Sequence, residues 1–159
     1  MAVTTSTQIC NMALSRLGAE TISNLTDDES INAGYCKFVY PRARNWLLRK
    51  HEWSFSIRRE TLALPGGANL TPYTYKYQRP ANMLKLIELI DSTYAEPLVA
   101  APNPWIQEDQ YIYANLQNAL AKYIWEVTIT QRFDETFVQV LALLIAHRLA
   151  MWIVVSDKI

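Results

Sequence analysis

Side chains that could carry catalysis are few and widely spaced in this 159-residue chain. The two histidines, His51 and His147, are far apart in sequence, and neither sits in a recognisable metal or nucleophile motif. Glu108 and Asp109 are adjacent and would point to opposite faces of a strand, so they form no carboxylate pair by themselves. Either could still pair with a distant acid, as in a glycosidase. We therefore predict no enzyme, and we keep a glycan hydrolase as a minor alternative.

Cofactor and metal chemistry also lack a motif. Cys10 and Cys36 are the only cysteines, which is too few for a disulfide scaffold, and they have no Cys-x-x-Cys spacing. Both lie among apolar neighbours, so we predict that they are reduced. The four glycines build no phosphate-binding loop. The sequence predicts no catalytic residue, no cofactor and no metal ion. The polar N-terminus has no secretory signal, so we expect a cytoplasmic protein.

The most informative stretch is residues 30–64, where a helical pattern carrying many cations changes at Trp53 into strand-like alternation. The chain as a whole has 15 basic and 15 acidic residues and a formal net charge of zero. Between positions 37 and 59, however, the sequence has one acidic residue, Glu52, and seven basic residues: Lys37, Arg42, Arg44, Arg49, Lys50, Arg58 and Arg59. Since the chain has no net charge that would attract a polyanion, any such binding must be local, and this local excess of cations predicts a docking surface.

Three interpretations of the basic stretch compete. Cations interleaved with Trp46 and Trp53 could grip phosphate while the rings stack on bases, which describes a nucleic-acid-binding module that uses Arg42, Arg49, Lys50, Arg58 and Trp53. The stretch could also be a solvated helix face with its tryptophans turned inward. We favour a protein interface, because arginine and tryptophan are enriched at interface centres. The candidate interface residues are Arg42, Arg44, Trp46, Arg49, Trp53, Arg58, Arg59, Arg148 and Trp152.

Helical signals flank the chain at both ends. Thr5 and Gln8 have the spacing of a capping box, and Gly18 can end the helix that follows. Asp134 is a good N-cap for the last helix. The predicted helices span 5–18, 29–51 and 134–157. Pro41 predicts a kink in the second helix, or two abutting helices. The last helix is apolar nearly all round, but Arg148 argues against a membrane span, so we expect it to be buried on several sides.

Residues 53–128 carry sequence patterns typical of β-strands. Alternation predicts an extended segment from Trp53 to Leu64, a second strand over 73–78 and a third over 84–90 with both faces largely apolar. A proline-rich loop is expected at 96–104. Residues 110–114 and 120–128 are predicted to form a hairpin. The fold class is therefore α+β: a helical scaffold of two N-terminal helices and one C-terminal helix, with an inserted antiparallel β module of about five strands. One domain is expected over 1–159.

These residues also form a recognisable pattern. Ala13-Leu14-Ser15-Arg16-Leu17-Gly18-Ala19, then Cys36, Tyr40, Arg44, Leu47 and Leu48, then Arg49, His51, Trp53, Phe55 and Arg59 resemble the opening of the tail tubular protein A family. This family comprises the head-to-tail adaptors (connectors) of short-tailed bacteriophages. The similarity continues in Ile112-Tyr113, Lys122-Tyr123-Ile124 and the closing pattern of Phe137, Leu144, Ala146, Leu149 and Ala150, so it covers most of the chain.

The resemblance implies a mechanical role in a virion. A single adaptor domain would form a ring, twelvefold in the family, between the portal protein and the tail nozzle protein. Double-stranded DNA would pass through the lumen without sequence-specific binding. The expected location is the head-tail junction of a phage assembled in the host cytoplasm, without a membrane. Family members usually have a C-terminal extension that contacts the portal, and this sequence stops before it.

Overall fold

Residues 4–91, 93 and 104–156 are described by a computed structural model, in which residues 154–156 are described by their backbone alone. The chain divides into two compact units: unit 1 comprises Met1–His51 and Val127–Ile159, and unit 2 comprises Glu52–Glu126. The described α-helices belong to unit 1 and the described strands to unit 2. The fold is therefore α+β as predicted, with boundaries close to those of the predicted β insertion. That the two units act as one domain stays a prediction.

Unit 1 is built from helices α1 (Ser6–Arg16), α2 (Ile31–Lys50) and α3 (Glu135–Ser156), with a short 3-10 turn at Thr130–Arg132. The predicted capping box begins α1: Gln8 N donates to Thr5 Oγ1 at 3.2 Å, and Thr5 N donates to Gln8 Oε1 at 2.7 Å. Gly18 follows the helix with a φ of 69°, the left-handed conformation that glycine adopts without strain. These local signals were sufficient to predict α1.

Helix α2 is a single continuous helix of 20 residues, so the predicted alternative of two abutting helices is wrong. Ser30 begins it, because its side chain accepts a hydrogen bond from Ala33 N at 3.2 Å. Pro41 removes one helical hydrogen bond. Tyr40 and Ala43 are buried on either side of Pro41, so tertiary packing on both flanks keeps this part of the chain helical.

Helix α3 begins where the sequence predicted, because Asp134 Oδ1 accepts a hydrogen bond from Phe137 N at 2.7 Å. Its buried residues Phe137, Leu141 and Ile145 lie four positions apart on one face. Helix α3 contacts both α1 and α2. Its length and composition would suit a membrane span, but the buried face packs inside unit 1.

Unit 2 contains six described strands, one more than the predicted number. They are β1 (Ile57–Thr61), β2 (Tyr75–Gln78), β3 (Met83–Asp91), β4 (Trp105–Glu108), β5 (Tyr111–Ala114) and β6 (Ala119–Trp125). They form two antiparallel three-stranded sheets, ordered β1-β6-β3 and β2-β5-β4. The missed strand is β4, which follows the predicted loop at 96–104. That loop lies outside the described residues, except for Pro104.

The predicted hairpin of β5 with β6 is wrong, because these strands belong to different sheets. Asn115 Oδ1 accepts hydrogen bonds from Thr74 N at 2.9 Å and Thr74 Oγ1 at 3.1 Å, which holds the chain after β5 beside β2. The tight hairpin instead joins β4 to β5 across Asp109 and Gln110. Asp109 has a φ of 52°, so it lies in this turn and not on a strand as predicted.

The extended segment predicted from Trp53 is wrong at its start. Residues Ser54–Ser56 form a 3-10 turn, and β1 begins only at Ile57. Ser56 N and Ser56 Oγ both donate to Trp53 O, at 2.8 and 2.9 Å, and such local bonds compete with extended backbone. The predicted third strand is present in β3, but two register shifts interrupt it. Lys85 and Glu88 are consequently exposed while every third residue is buried.

Candidate functional site

The predicted interface residues fall in both units. Unit 1 carries Arg42, Arg44, Trp46 and Arg49 on α2 and Arg148 and Trp152 on α3, whereas unit 2 carries Trp53, Arg58 and Arg59. The basic stretch of residues 37–59 therefore changes unit after His51, at the end of α2. We describe its two parts in turn.

The part on α2 is an exposed row of aromatic and cationic side chains, which we name the aromatic-cationic face: Phe38, Arg42, Trp46, Arg49 and Lys50. Residues 38, 42 and 46 are four positions apart, so they lie on one side of the helix. Phe38 is 52% exposed and Trp46 is 45% exposed. Arg42, Arg49 and Lys50 are also exposed. Large half-exposed rings on a helix are a feature of interaction surfaces.

Cations of unit 1 already cover the rings of this face. The Arg42 guanidinium carbon lies 3.8 Å from the centroid of the Phe38 ring, and Arg42 Nη1 donates to Phe38 O at 2.7 Å. Trp46 has Lys50 Nζ at 4.8 Å and the Arg148 guanidinium carbon at 5.7 Å from its ring. Each such contact is worth about 0.5–1 kcal/mol at an exposed site. The cations and the rings therefore hold one another in place.

Helix α3 extends the face through Trp152, which is 39% exposed. The centroid of its ring lies 5.2 Å from that of Tyr35 and 6.0 Å from that of Phe38. Sequence reasoning did not select Tyr35 or Phe38 as interface residues. The signal for Phe38 was present, because it lies four residues before Arg42 and eight before Trp46. The signal for Tyr35 was absent, because its neighbour Trp152 is on another helix.

A shallow depression opens within the face. It is lined by Pro41, Arg42, Asn45, Trp46 and Arg49. None of the described carboxylates lies within 4 Å of a nitrogen atom of Arg42, Arg49 or Lys50. The depression therefore presents, beside a tryptophan ring, two guanidinium groups that have no carboxylate partner among the described residues. Such a set can receive carboxylates or phosphates together with an apolar contact.

Arg44 is set apart from this face. It is only 7% exposed, and its Nε donates to Asn45 Oδ1 at 3.1 Å. Its guanidinium carbon lies 5.9 Å from the ring of Tyr40, which is also buried. Desolvation by burial raises the pKa of Tyr40 to about 12, although the nearby Arg44 charge opposes this. The structure therefore places Arg44 inside unit 1 and not beside Arg42 and Trp46 on its surface.

In unit 2 the remaining predicted residues lie around β1. The Arg58 guanidinium carbon lies 3.4 Å from the ring of Trp125, and the Trp53 ring lies 6.1 Å from that of Phe55. Arg59 is exposed and faces Lys122 across the strand pair. Lys122 is in turn paired with Glu52 at 3.2 Å. The ring of Trp125 beside Arg58 and the ring of Phe55 beside Trp53 both belong to unit 2.

The carboxylate and histidine side chains considered for catalysis are exposed and lie on different elements. Glu108 ends β4 and Asp109 lies in the following turn, both exposed. His51 and His147 are exposed as well. Within the described part of the chain, no three histidine, cysteine, aspartate or glutamate side chains are grouped as a metal site requires.

The two cysteines are free thiols buried in unit 1. A hydrogen bond with Cys36, followed by burial, raises the pKa of the Cys10 thiol. A protonated, buried thiol is a poor nucleophile. The same hydrogen bond lowers the pKa of the Cys36 thiol, although burial opposes this. The two thiols therefore form a contact between α1 and α2.

Comparison with family models and curated proteins gives no match. No family model matches the chain, and no curated protein sequence is similar to it. The resemblance to the tail tubular protein A family accordingly rests on the order and spacing of the residues given above.

Proposed function

We propose that this chain is a non-enzymatic structural subunit, the head-to-tail connector of a short-tailed bacteriophage. Copies of it form a ring that joins the portal protein to the tail nozzle protein and extends the DNA channel. The single observation that carries the proposal is the aromatic-cationic face. A subunit whose large aromatic and cationic side chains remain partly exposed after folding is suited to association with other protein surfaces.

The composition of this face favours a protein partner over a nucleic acid. Bases stack on aromatic rings whose faces are open, but Lys50 and Arg148 already lie over the ring of Trp46. A connector must also let DNA slide, and each neutralised phosphate adds affinity. The formal net charge of zero suits a channel wall that holds no phosphate tightly.

A second uncovered surface lies on α3. Val140, Leu143 and Met151 are 37%, 54% and 73% exposed, and they follow one another at spacings that place them near one side of the helix. Together with the aromatic-cationic face, they give unit 1 more than one exposed surface for association. A ring subunit needs two such surfaces, because it contacts a neighbour on each side.

Electron microscopy of the purified protein mixed with its portal protein tests the proposal. We expect rings of additional density on one end of the portal, with the rotational symmetry of the family, twelvefold. The variant Trp46→Ala should reduce ring formation, whereas Leu70→Ala should not, because Leu70 is 97% exposed in unit 2 and lies outside the face. Portals that stay bare at saturating protein would contradict the proposed function.

A further inference from the structure

Exposed acids and exposed arginines are separated along α2, and Lys37, the exposed cation nearest the acids, donates to Asp28 O. Asp27 and Glu29 are exposed just before its first turn, whereas Arg42, Arg49 and Lys50 are exposed in its second half. The helix dipole favours acids at the first end and cations at the last turn. It does not account for Arg42 in the middle of the helix, nor for the exposed aromatic rings beside the cations.

The acidic end is preorganised by the aspartate between the two exposed acids. Asp28 Oδ2 accepts hydrogen bonds from Ser23 N at 2.8 Å and Ser23 Oγ at 3.0 Å, and Asp28 Oδ1 accepts one from Ser30 N at 2.8 Å. Lys37 Nζ also donates to Asp28 O at 2.7 Å. These bonds fix the backbone of the segment. The carboxylates of Asp27 and Glu29 make no ion pair with the described residues.

Asp27 and Glu29 are too far from Arg42 and Arg49 to pair with them within one subunit. Arg42 and Arg49 lie 11 and 18 residues after Ile31, the first residue of α2, which is about 16 Å and about 27 Å along the helix at about 1.5 Å per residue. The acids precede the first turn, whereas the depression between Arg42, Trp46 and Arg49 lies in the second half. The carboxylates of Asp27 and Glu29 and the guanidinium groups of Arg42 and Arg49 are therefore complementary between different molecules.

We infer that the aromatic-cationic face of one copy of this chain receives the Asp27–Glu29 segment of a second copy. The two carboxylates pair with Arg42 and Arg49, and the segment covers the exposed edge of Trp46, which lies between these arginines in the depression. This contact joins two different patches, so it is head-to-tail and repeats into a ring or a filament. The inference deepens the proposed connector function and rests on it for its biological setting.

Sedimentation velocity without portal protein tests the contact. The wild-type protein is measured up to submillimolar concentration at low ionic strength, where unscreened charges favour association. A basic-end variant carries Arg42→Glu and Arg49→Glu, and an acidic-end variant carries Asp27→Lys and Glu29→Lys. A third protein carries all four changes. Lys85→Glu is the matched control, because Lys85 is an exposed cation in unit 2. Circular dichroism verifies that each variant is folded.

We expect the wild-type protein to form species larger than a dimer, and either two-residue variant to associate roughly tenfold or more weakly, since like charges then face each other. An equimolar mixture of the two variants, and the protein with all four changes, should associate again because opposite charges are restored. Lys85→Glu should behave as the wild type. This rescue separates a specific contact from simple loss of folding.

Other outcomes overturn the inference. A wild-type protein that stays monomeric throughout, or that stops at a dimer, has no repeating head-to-tail contact. Charge reversal without effect, or a protein with four changes that does not recover, excludes this pairing. If Arg42→Glu with Arg49→Glu abolishes only salt-dependent binding of a single-stranded oligonucleotide, the face binds nucleic acid. Because no portal is present, failure here is distinct from the bare portals that would contradict the proposed function.

Discussion

Removal of the Trp46 side chain separates the association of this protein from its folding. Trp46 is 45% exposed, and the covered part of its ring is held by Lys50 and Arg148. The exposed part contributes to nothing within the isolated subunit, so it is available to a partner. Trp46→Ala should therefore weaken assembly much more than surface substitutions elsewhere.

The expected magnitude follows from area. A tryptophan side chain can bury up to about 250 Å², and the 45% that is exposed leaves a little over about 100 Å² for a partner. At about 25 cal/mol per Å², covering this area contributes about 3 kcal/mol. Its loss should weaken association about a hundredfold. The covered part of the ring adds a loss in the free energy of unfolding, of about 2 kcal/mol.

The assay is a titration of the portal protein with wild-type or variant subunits, with ring occupancy counted by electron microscopy. Circular dichroism at the titration temperature verifies that Trp46→Ala remains folded. Leu70→Ala is the control, because Leu70 is 97% exposed and lies in unit 2. A folded Trp46→Ala protein whose half-saturation concentration stays within about threefold of the wild-type value would refute the reasoning.

Three further expectations concern folding. Phe137→Ala should lower the free energy of unfolding by about 3–5 kcal/mol. The reason is that Phe137 is fully buried and its ring lies 4.7 Å from that of Phe133. Urea denaturation measures the change, and a loss below about 1 kcal/mol would contradict this packing. Asp134→Ala should cost about 1 kcal/mol through loss of the Phe137 N hydrogen bond, and Asp134→Asn should restore most of it. Burial raises the pKa of Tyr40 from its usual 10.0 to about 12. The contribution of the protonated Tyr40 side chain to the free energy of unfolding is therefore complete below pH 10 and is lost as the pH rises towards 12. Tyr40→Phe should reduce that alkaline loss by on the order of 2 kcal/mol, and an unchanged alkaline slope would contradict the pKa.

Helix ends were predictable because their signals are local. Thr5 and Gln8 stabilise the start of α1, and Asp134 caps α3, through hydrogen bonds between residues three positions apart. Strand partners were not predictable in the same way. The chain after β5 is held by the contact of Asn115 with Thr74, 41 residues away, and no local pattern reports such a pair. The hydrogen bond from the Ser56 hydroxyl to Trp53 O likewise favours a turn where the period-two pattern from Trp53 predicted a strand.

The candidate surface was predictable in part. Arg42 and Trp46, both predicted interface residues, are exposed and line the same depression. Arg44 is also a cation of the basic stretch, but it lies on the buried side of α2, in one row with Tyr40 and Leu48. Which row of a helix is buried depends on where the other helices pack, and the weakly amphipathic pattern of α2 did not reveal this.

The mass of the protein in solution, measured by light scattering with and without its portal protein, tests the central claim most directly. At micromolar concentration we expect the isolated chain to scatter as an 18.3 kDa subunit, because the proposed contacts between copies are individually weak. On addition of portal protein, the mass of the complex should increase by a complete ring of subunits. A portal whose mass is unchanged at saturating subunit concentration would contradict the claim that uncovered surfaces of unit 1 are met by neighbouring copies on a portal.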